Sequence, residues 1–155
     1  MTPAQTALVK TYVQANYAAH VAKSEWSQIA DKLSTDANPT VKAGGESVDS
    51  NTVDDAPDYT TFDAISAGKR DSWGFLLRTS RDFTRAKVRQ WVTDIWGNAT
   101  AGSNSEKILQ AGLVNATAAE VAIGGTTRTT GTVSGLDRDY IGGMGVQDVY
   151  AMMTP

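Results

Sequence analysis

The sequence has no cysteine, which excludes disulfides, thiolate nucleophiles and cysteine-ligated zinc together. It has a single histidine, His20, and no motif ties an acid or a nucleophile to it, so His20 reads as a surface or partly packed side chain. There is no run of about 18 apolar residues to span a bilayer. The opening MTPAQTALVK lacks the charged-then-apolar pattern of a secretory signal. A soluble protein made in a reducing compartment is expected, with no membrane partner. Charge of one sign is also scarce. The formal net charge of -3 is too mild for bulk charge to select nucleic acid or membrane.

Two superficial motifs fail on inspection. Asp49, Asn51, Asp54 and Asp55 suggest a calcium loop, but the alternating ligands, central glycine and closing glutamate of an EF-hand are missing. Gly142-Gly143-Met144-Gly145 is not followed by Lys and Ser/Thr opening a helix, so it is no phosphate-binding loop. No catalytic residue, cofactor or metal is expected, and the protein is not read as an enzyme.

At 155 residues and 41% hydrophobic, the chain has enough material for a real core. The stretch from Lys69 to Gly97 carries most of the heavy payload: Trp73, Trp91, Trp96, Phe75 and Phe83. Large aromatics bury the most area per residue, so the core is expected to be anchored there. Around that stretch the periodicity predicts about six helices. Thr2-Pro3 is a helix start, with Leu8, Val9, Tyr12 and Val13 behind it, over about 3–20. Ser24 precedes the stripe Trp26, Ile29, Ala30, Leu33, and Pro39 stops it. Thr60 or Thr61, Asp71 and Asp82 read as starts of three more segments. The last of these holds Val88, Trp91, Val92, Ile95 and Trp96 and ends at Gly97. Two capping boxes, Ser103…Glu106 and Thr117…Glu120, predict short helices near 104–111 and 117–123.

Two regions break the pattern. Residues 40–61 bring Gly44-Gly45, Pro57 and the acids Glu46, Asp49, Asp54, Asp55 and Asp58, which reads as an acidic exposed loop. From Gly124 onward, threonines and glycines favour extended backbone over helix. The expected fold is therefore mainly α. It is a bundle of about five to six helices over 1–123, with the acidic loop at 40–61 and an extended Gly/Thr-rich C-terminal arm over 124–155.

Arg81, Arg85 and Arg89 step by four and predict one basic ridge. A solvated helix face, a protein interface and a phosphate contact all remain open for it.

The pieces W26-S-Q-I-A-D-K-L33, A64-I-S-A-G-K-R70 leading to Trp73, V88-R-Q-W-V-T-D-I-W-G97, N115-A-T-A-A-E120, T130-G-T-V-S-G135 and V146-Q-D-V149 follow one another in order. Together they resemble a family of small, mostly uncharacterised proteins encoded among the structural genes of tailed bacteriophages. The likeness covers most of residues 24–150 and carries no chemistry. The acidic 44–58 loop and the Leu136–Gly145 insert depart from the family's pattern. The resemblance implies a virion protein made in the bacterial cytoplasm, similar to head–tail (neck) adaptors that form a homo-oligomeric ring on the portal beside packaged DNA. Candidate interface residues are then Arg81, Arg85 and Arg89, meeting Asp49, Asp54, Asp55 and Asp58 of a neighbour. Tyr140, Val146, Val149 and Tyr150 on the arm complete the set. Alternatives are another tail- or capsid-associated virion part, and a DNA-binding helical protein.

Overall fold

The computed structural model describes residues 1–35, 41–124, 127–137 and 144–154. Among these are nine α-helices, one 3-10 helix and a four-stranded sheet. The fold is mixed α/β, which corrects the expected helical bundle of five to six helices with an extended arm.

The sheet contains β1 (Lys42–Gly44), β2 (Leu113–Asn115), β3 (Thr127–Thr130) and β4 (Val133–Leu136), in the order β2-β1-β4-β3. The Gly/Thr-rich stretch does run extended, as β-branched threonine favours, but it folds back on itself. β3 and β4 pair antiparallel with Thr130 opposite Val133, leaving a two-residue turn of Gly131-Thr132. Gly131 has φ 61°, the glycine-first pattern that suits the twist of a hairpin. β4 also pairs in parallel with β1, placing Ala43 beside Leu136. Pairing between segments about ninety residues apart leaves no local trace, and strands of three or four residues show no alternation to read.

The contacts divide the chain into two compact units. The first takes Met1–Val41, Asn115–Thr126 and Arg138–Pro155. It contains α1 (Pro3–Asn16), α2 (Ala18–Ala22), α3 (Trp26–Ser34), α8 (Ala118–Ile123) and α9 (Val146–Met153). The Thr2 hydroxyl accepts from Gln5 N while the Gln5 side chain takes the Thr2 N–H, a full capping box ahead of Pro3. The expected single helix over 3–20 is two, broken at Tyr17. Ser24 is not a cap: it sits at φ 57° between α2 and α3. The stripe of α3 does face inward, where Ile29 and Leu33 pack with Val9, Val13, Val149 and Met152. The end of the chain is thus a helix seated in this core. Thr117 and Glu120 form the expected capping box of α8.

The second unit takes Lys42–Val114 and Thr127–Asp137. It contains α4 (Ser50–Asp54), a 3-10 helix (Tyr59–Ala64), α5 (Ala67–Leu76), α6 (Ala86–Trp96) and α7 (Asn104–Ala111). Its core gathers Trp73, Leu76, Phe83, Val92, Ile95 and Ile108, the aromatic anchor expected from the sequence. Residues 41–61 are not a structureless loop. β1, α4 and the start of the 3-10 helix occupy them, and Val48 bridges antiparallel to Arg81. The acids there work locally: Asp49 caps α4 by accepting from Asn51 N at 2.8 Å, and Asp58 caps the 3-10 helix by accepting from Thr60 N at 2.9 Å. Asp71 caps nothing, because α5 already begins at Ala67.

Candidate interaction surface

The expected basic ridge does not exist as one face, because its three arginines have three separate jobs. Arg81 lies beyond the end of α5 and donates from Nε to Leu76 O and from Nη2 to Phe75 O, both at 2.6 Å. It thereby adds a donor to two carbonyls at the helix end, of which Phe75 O also accepts from Arg78 N at 3.3 Å. Arg89 is only 8% exposed. Its Nη1 donates to Phe83 O at 2.8 Å and to Thr84 O at 2.6 Å, and its Nη2 stands 3.7 Å from Asp137 Oδ1. Of the three, Arg85 has the most exposed side chain. It is the N-cap residue of α6, its side chain is 75% exposed, and it pairs with Asp82 at 2.9 Å.

Under the sheet, Arg89 shares Asp137 with a second arginine. Arg128 Nε lies 2.7 Å from Asp137 Oδ1, off the hydrogen-bond direction, so charge rather than a directed bond holds these buried atoms. Burial, with the Arg89 charge beside it, pulls the Arg128 guanidinium below its usual range. Gly44 makes room for this side chain, since a Cβ there would come within 2.7 Å of Arg128 Nη2. Neither Arg128 nor Asp137 stands out in the sequence. Only the β3–β4 pairing brings them under Arg89.

What reaches the surface beside Arg81 is an aromatic pair. Phe75 is 49% exposed, and its ring lies 5.7 Å from that of Trp91. Arg78 sits over the Phe75 ring at 5.5 Å, and Arg81 over Phe75 and Trp91 at 5.6 and 5.9 Å. A largely apolar groove of about 520 Å³ runs on from Trp91 past Ala86, Lys87 and Gln90 to Asp94. The sequence places the core anchor in the stretch that holds both rings; Trp91 does pack, partly buried, against that core, whereas Phe75 stays exposed. The step of two from Trp73 is the signal for Phe75, because on a helix it turns that ring about 200° away from the buried indole.

That buried side of α5 leads to a second surface of opposite sign. Trp73 packs edge-on to Trp96 at 5.3 Å, and Tyr59 contacts Trp96 and Phe62. Tyr59 remains 41% exposed, with Asp54, Asp55 and Asp58 close to it in sequence and Asp63 at the far end of the 3-10 helix. Asp58 is fixed from both sides: its N–H donates to Asn104 Oδ1 at 2.7 Å, and Asn104 Nδ2 donates back to its carbonyl at 2.9 Å. The backbone N–H of Thr60 and its hydroxyl, with the field of Lys107, hold the Asp58 carboxyl below its ordinary range.

In the first unit, Val149 is fully buried, whereas Val146 and Tyr150 are exposed, Tyr150 resting edge-on to Trp26 at 6.4 Å. The candidate arm residues therefore do not form one surface, and Tyr140 lies outside the described residues. His20 Nδ1 pairs with Glu25 at 2.7 Å. Among the described residues no three His, Cys, Asp or Glu side chains are grouped to hold a metal, and no helix is long and apolar enough to cross a membrane. The arrangement suits binding: two rigid aromatic patches, one flanked by cations and one by carboxylates. Comparisons with protein-family models, with curated proteins and with solved structures return no match.

Proposed function

We propose that this chain is a virion structural protein of a tailed bacteriophage, working as a head–tail adaptor subunit in a ring that docks on the portal. The observation that carries the assembly role is the arginine-flanked Phe75–Trp91 surface. Aromatic residues and arginine are enriched at protein interfaces, the aromatics because they bury much area at little rotamer cost. Here Arg81 is already fixed by two carbonyls before any partner arrives, which lowers the entropic cost of binding. The ordered likeness to tailed-phage structural proteins supplies the setting.

The test is the mass of the purified chain, alone and mixed with a candidate portal ring, by native mass spectrometry. The reading expects many copies to join the ring, and fewer for Phe75→Ala. A chain that ignores the portal overturns the neck position. Rings or tubes formed without portal move the assignment to a tail part.

A second reading, duplex DNA binding, is favoured by Arg85 and Lys87, both exposed, at the start of the helix that carries Trp91. It requires affinity that falls steeply with salt and is lost in Arg85→Glu/Lys87→Glu.

A further inference from the structure

The second unit carries two exposed aromatics in opposite electrostatic settings. Phe75 is flanked by Arg78 and Arg81, with Arg85 and Lys87 at the start of the neighbouring helix. The Tyr59 hydroxyl donates to Asp54 and lies in the field of Asp54 and Asp55, Asp58 caps the 3-10 helix that Tyr59 opens, and Asp63 stands near the far end of that helix, paired with Arg70. Because Trp73 and Phe75 are about 200° apart on α5, and Tyr59 touches Trp73 while Trp91 touches Phe75, the two patches lie on opposite sides of one rigid helix. Each also holds two charges of the minority sign, Asp94 beside Trp91 and Asp82 paired with Arg85 on the basic side, and Lys107 beside Asp58 and Arg70 paired with Asp63 on the acidic side.

We infer that copies of this chain associate head to tail, the arginine-flanked Phe75–Trp91 surface of one copy seating on the acidic Tyr59 edge of the next. Because the patches lie on opposite sides of the helix, a two-fold contact could use only one of them and would set arginines on arginines or carboxylates on carboxylates, which costs binding energy. Only the heterologous arrangement matches signs, and it also lets Lys107 face Asp94. Repeating one heterologous contact yields a closed ring when the rotation closes and a filament when it does not. Both surfaces are set in advance. Carbonyls pin Arg81, and the helix caps and Asn104 pin Asp58, so little side-chain freedom is lost on docking. This inference names the neighbour within the ring proposed above and rests on that reading for its geometry, while its test is independent of portal.

The experiment uses two full-length variants changed only at exposed positions. One is Phe75→Ser/Arg78→Glu, on the basic side. The other is Asp55→Lys/Asp63→Lys, on the acidic side. Sedimentation velocity from about 1 to about 500 μM is expected to show the wild-type chain growing beyond a dimer, with the growth reversed by raising salt to about 0.5 M. Each variant alone stays monomeric. Mixed, they form a one-to-one dimer and nothing larger, because the mixture holds one intact contact and two spoiled ends. That dimer also shows both variants to be folded. A wild-type chain that stays monomeric throughout, variants that assemble like it, or a mixture that stays monomeric each overturns the inference. A monomer that still joins the portal would sink this contact and leave the neck reading standing. A chain that grows head to tail yet ignores the portal would do the reverse.

Discussion

The indole Nε1 of Trp73 donates a hydrogen bond to the Tyr59 hydroxyl oxygen at 2.9 Å, and that hydroxyl donates in turn to Asp54. The chain of bonds runs from a buried tryptophan to a surface carboxylate, and it ties the 3-10 helix and α4 to α5. Burial, with the Asp54 bond added, raises the Tyr59 pKa from 10.0 to about 12.

Tyr59→Phe removes the hydroxyl and leaves the Trp73 N–H without its acceptor, at an expected cost of about 1–2 kcal/mol. The sign of the alkaline effect follows from the raised value. The folded state holds the phenolic proton more tightly than the unfolded one, so the contribution is complete below pH 10 and is lost as pH rises toward about 12. Tyr17, raised to about 12 by burial and by Tyr12, adds a loss in the same window. Urea unfolding at a series of pH values should show the stability of the wild-type chain falling across this range, and less steeply in Tyr59→Phe. An unchanged slope would place the alkaline loss elsewhere.

Arg85 and Arg89 look equivalent as letters four apart, and the structure makes them opposites. Arg89→Ala takes the donor from the carbonyls of Phe83 and Thr84 and leaves Asp137 to Arg128 alone, so a loss of about 3 kcal/mol is expected. Arg89→Lys should recover little, since one ammonium cannot reproduce the fork. Arg85→Ala, with an exposed side chain, should stay within about 0.5 kcal/mol. Tryptophan fluorescence is a fitting probe, because Trp73, Trp91 and Trp96 all belong to the second unit. Equal effects of the two substitutions would contradict the buried placement of Arg89.

How far the sequence could be read follows from these same residues. The α3 stripe, the Thr117–Glu120 box and the aromatic anchor at Trp73 were legible because each depends on neighbours within one or two turns. The hydrophobic period of α6 was legible too, but not which polar residues on it are wet. Arg89 is held by the carbonyls of Phe83 and Thr84 and stands beside Asp137, some fifty residues away, and hydrophobic periodicity reports neither contact. The four-stranded sheet was missed for the same reason. β1 is three residues long and gains its identity from Leu136. The sequence predicts a charged loop over residues 40–61, whereas Asp49 and Asp58 are caps, and capping is a local pattern. At the candidate surface the individual aromatics were visible, and their grouping with arginines on one side and carboxylates on the other was not.

Asp82 contributes to the acid limb, alongside Asp58 and Glu106, which are also held below their usual range. Burial pushes its carboxyl up, but hydrogen bonds from the Thr84 hydroxyl and N–H, together with Arg85, outweigh this and hold its pKa below the usual value of 3.8. A depressed carboxylate contributes stability that is present above the unfolded pKa and is lost as pH falls through the folded one. Asp82→Asn should therefore lower stability at neutral pH and flatten the fall below about pH 4. A variant whose acid limb matches wild type would show that Asp82 is not the group being titrated.

Gly131 separates two causes that usually travel together. Its φ of 61° disfavours any side chain, and a Cβ there would also run into the carbonyl of Ala99, the group to which Thr132 N donates at 3.1 Å. Gly124 has a similar φ of 66° but open space around it. Gly124→Ala should therefore cost about 1 kcal/mol, and Gly124→Asn less, because asparagine tolerates the left-handed region. At Gly131 the steric term is the same for Ala and Asn, so both should cost more than their counterparts at Gly124, and asparagine should recover little. Thermal unfolding of the four variants checks this. If Gly131→Asn is as mild as Gly124→Asn, the β3–β4 turn is not packed against Ala99, and the hairpin owes its place in the sheet to its strand pairing alone.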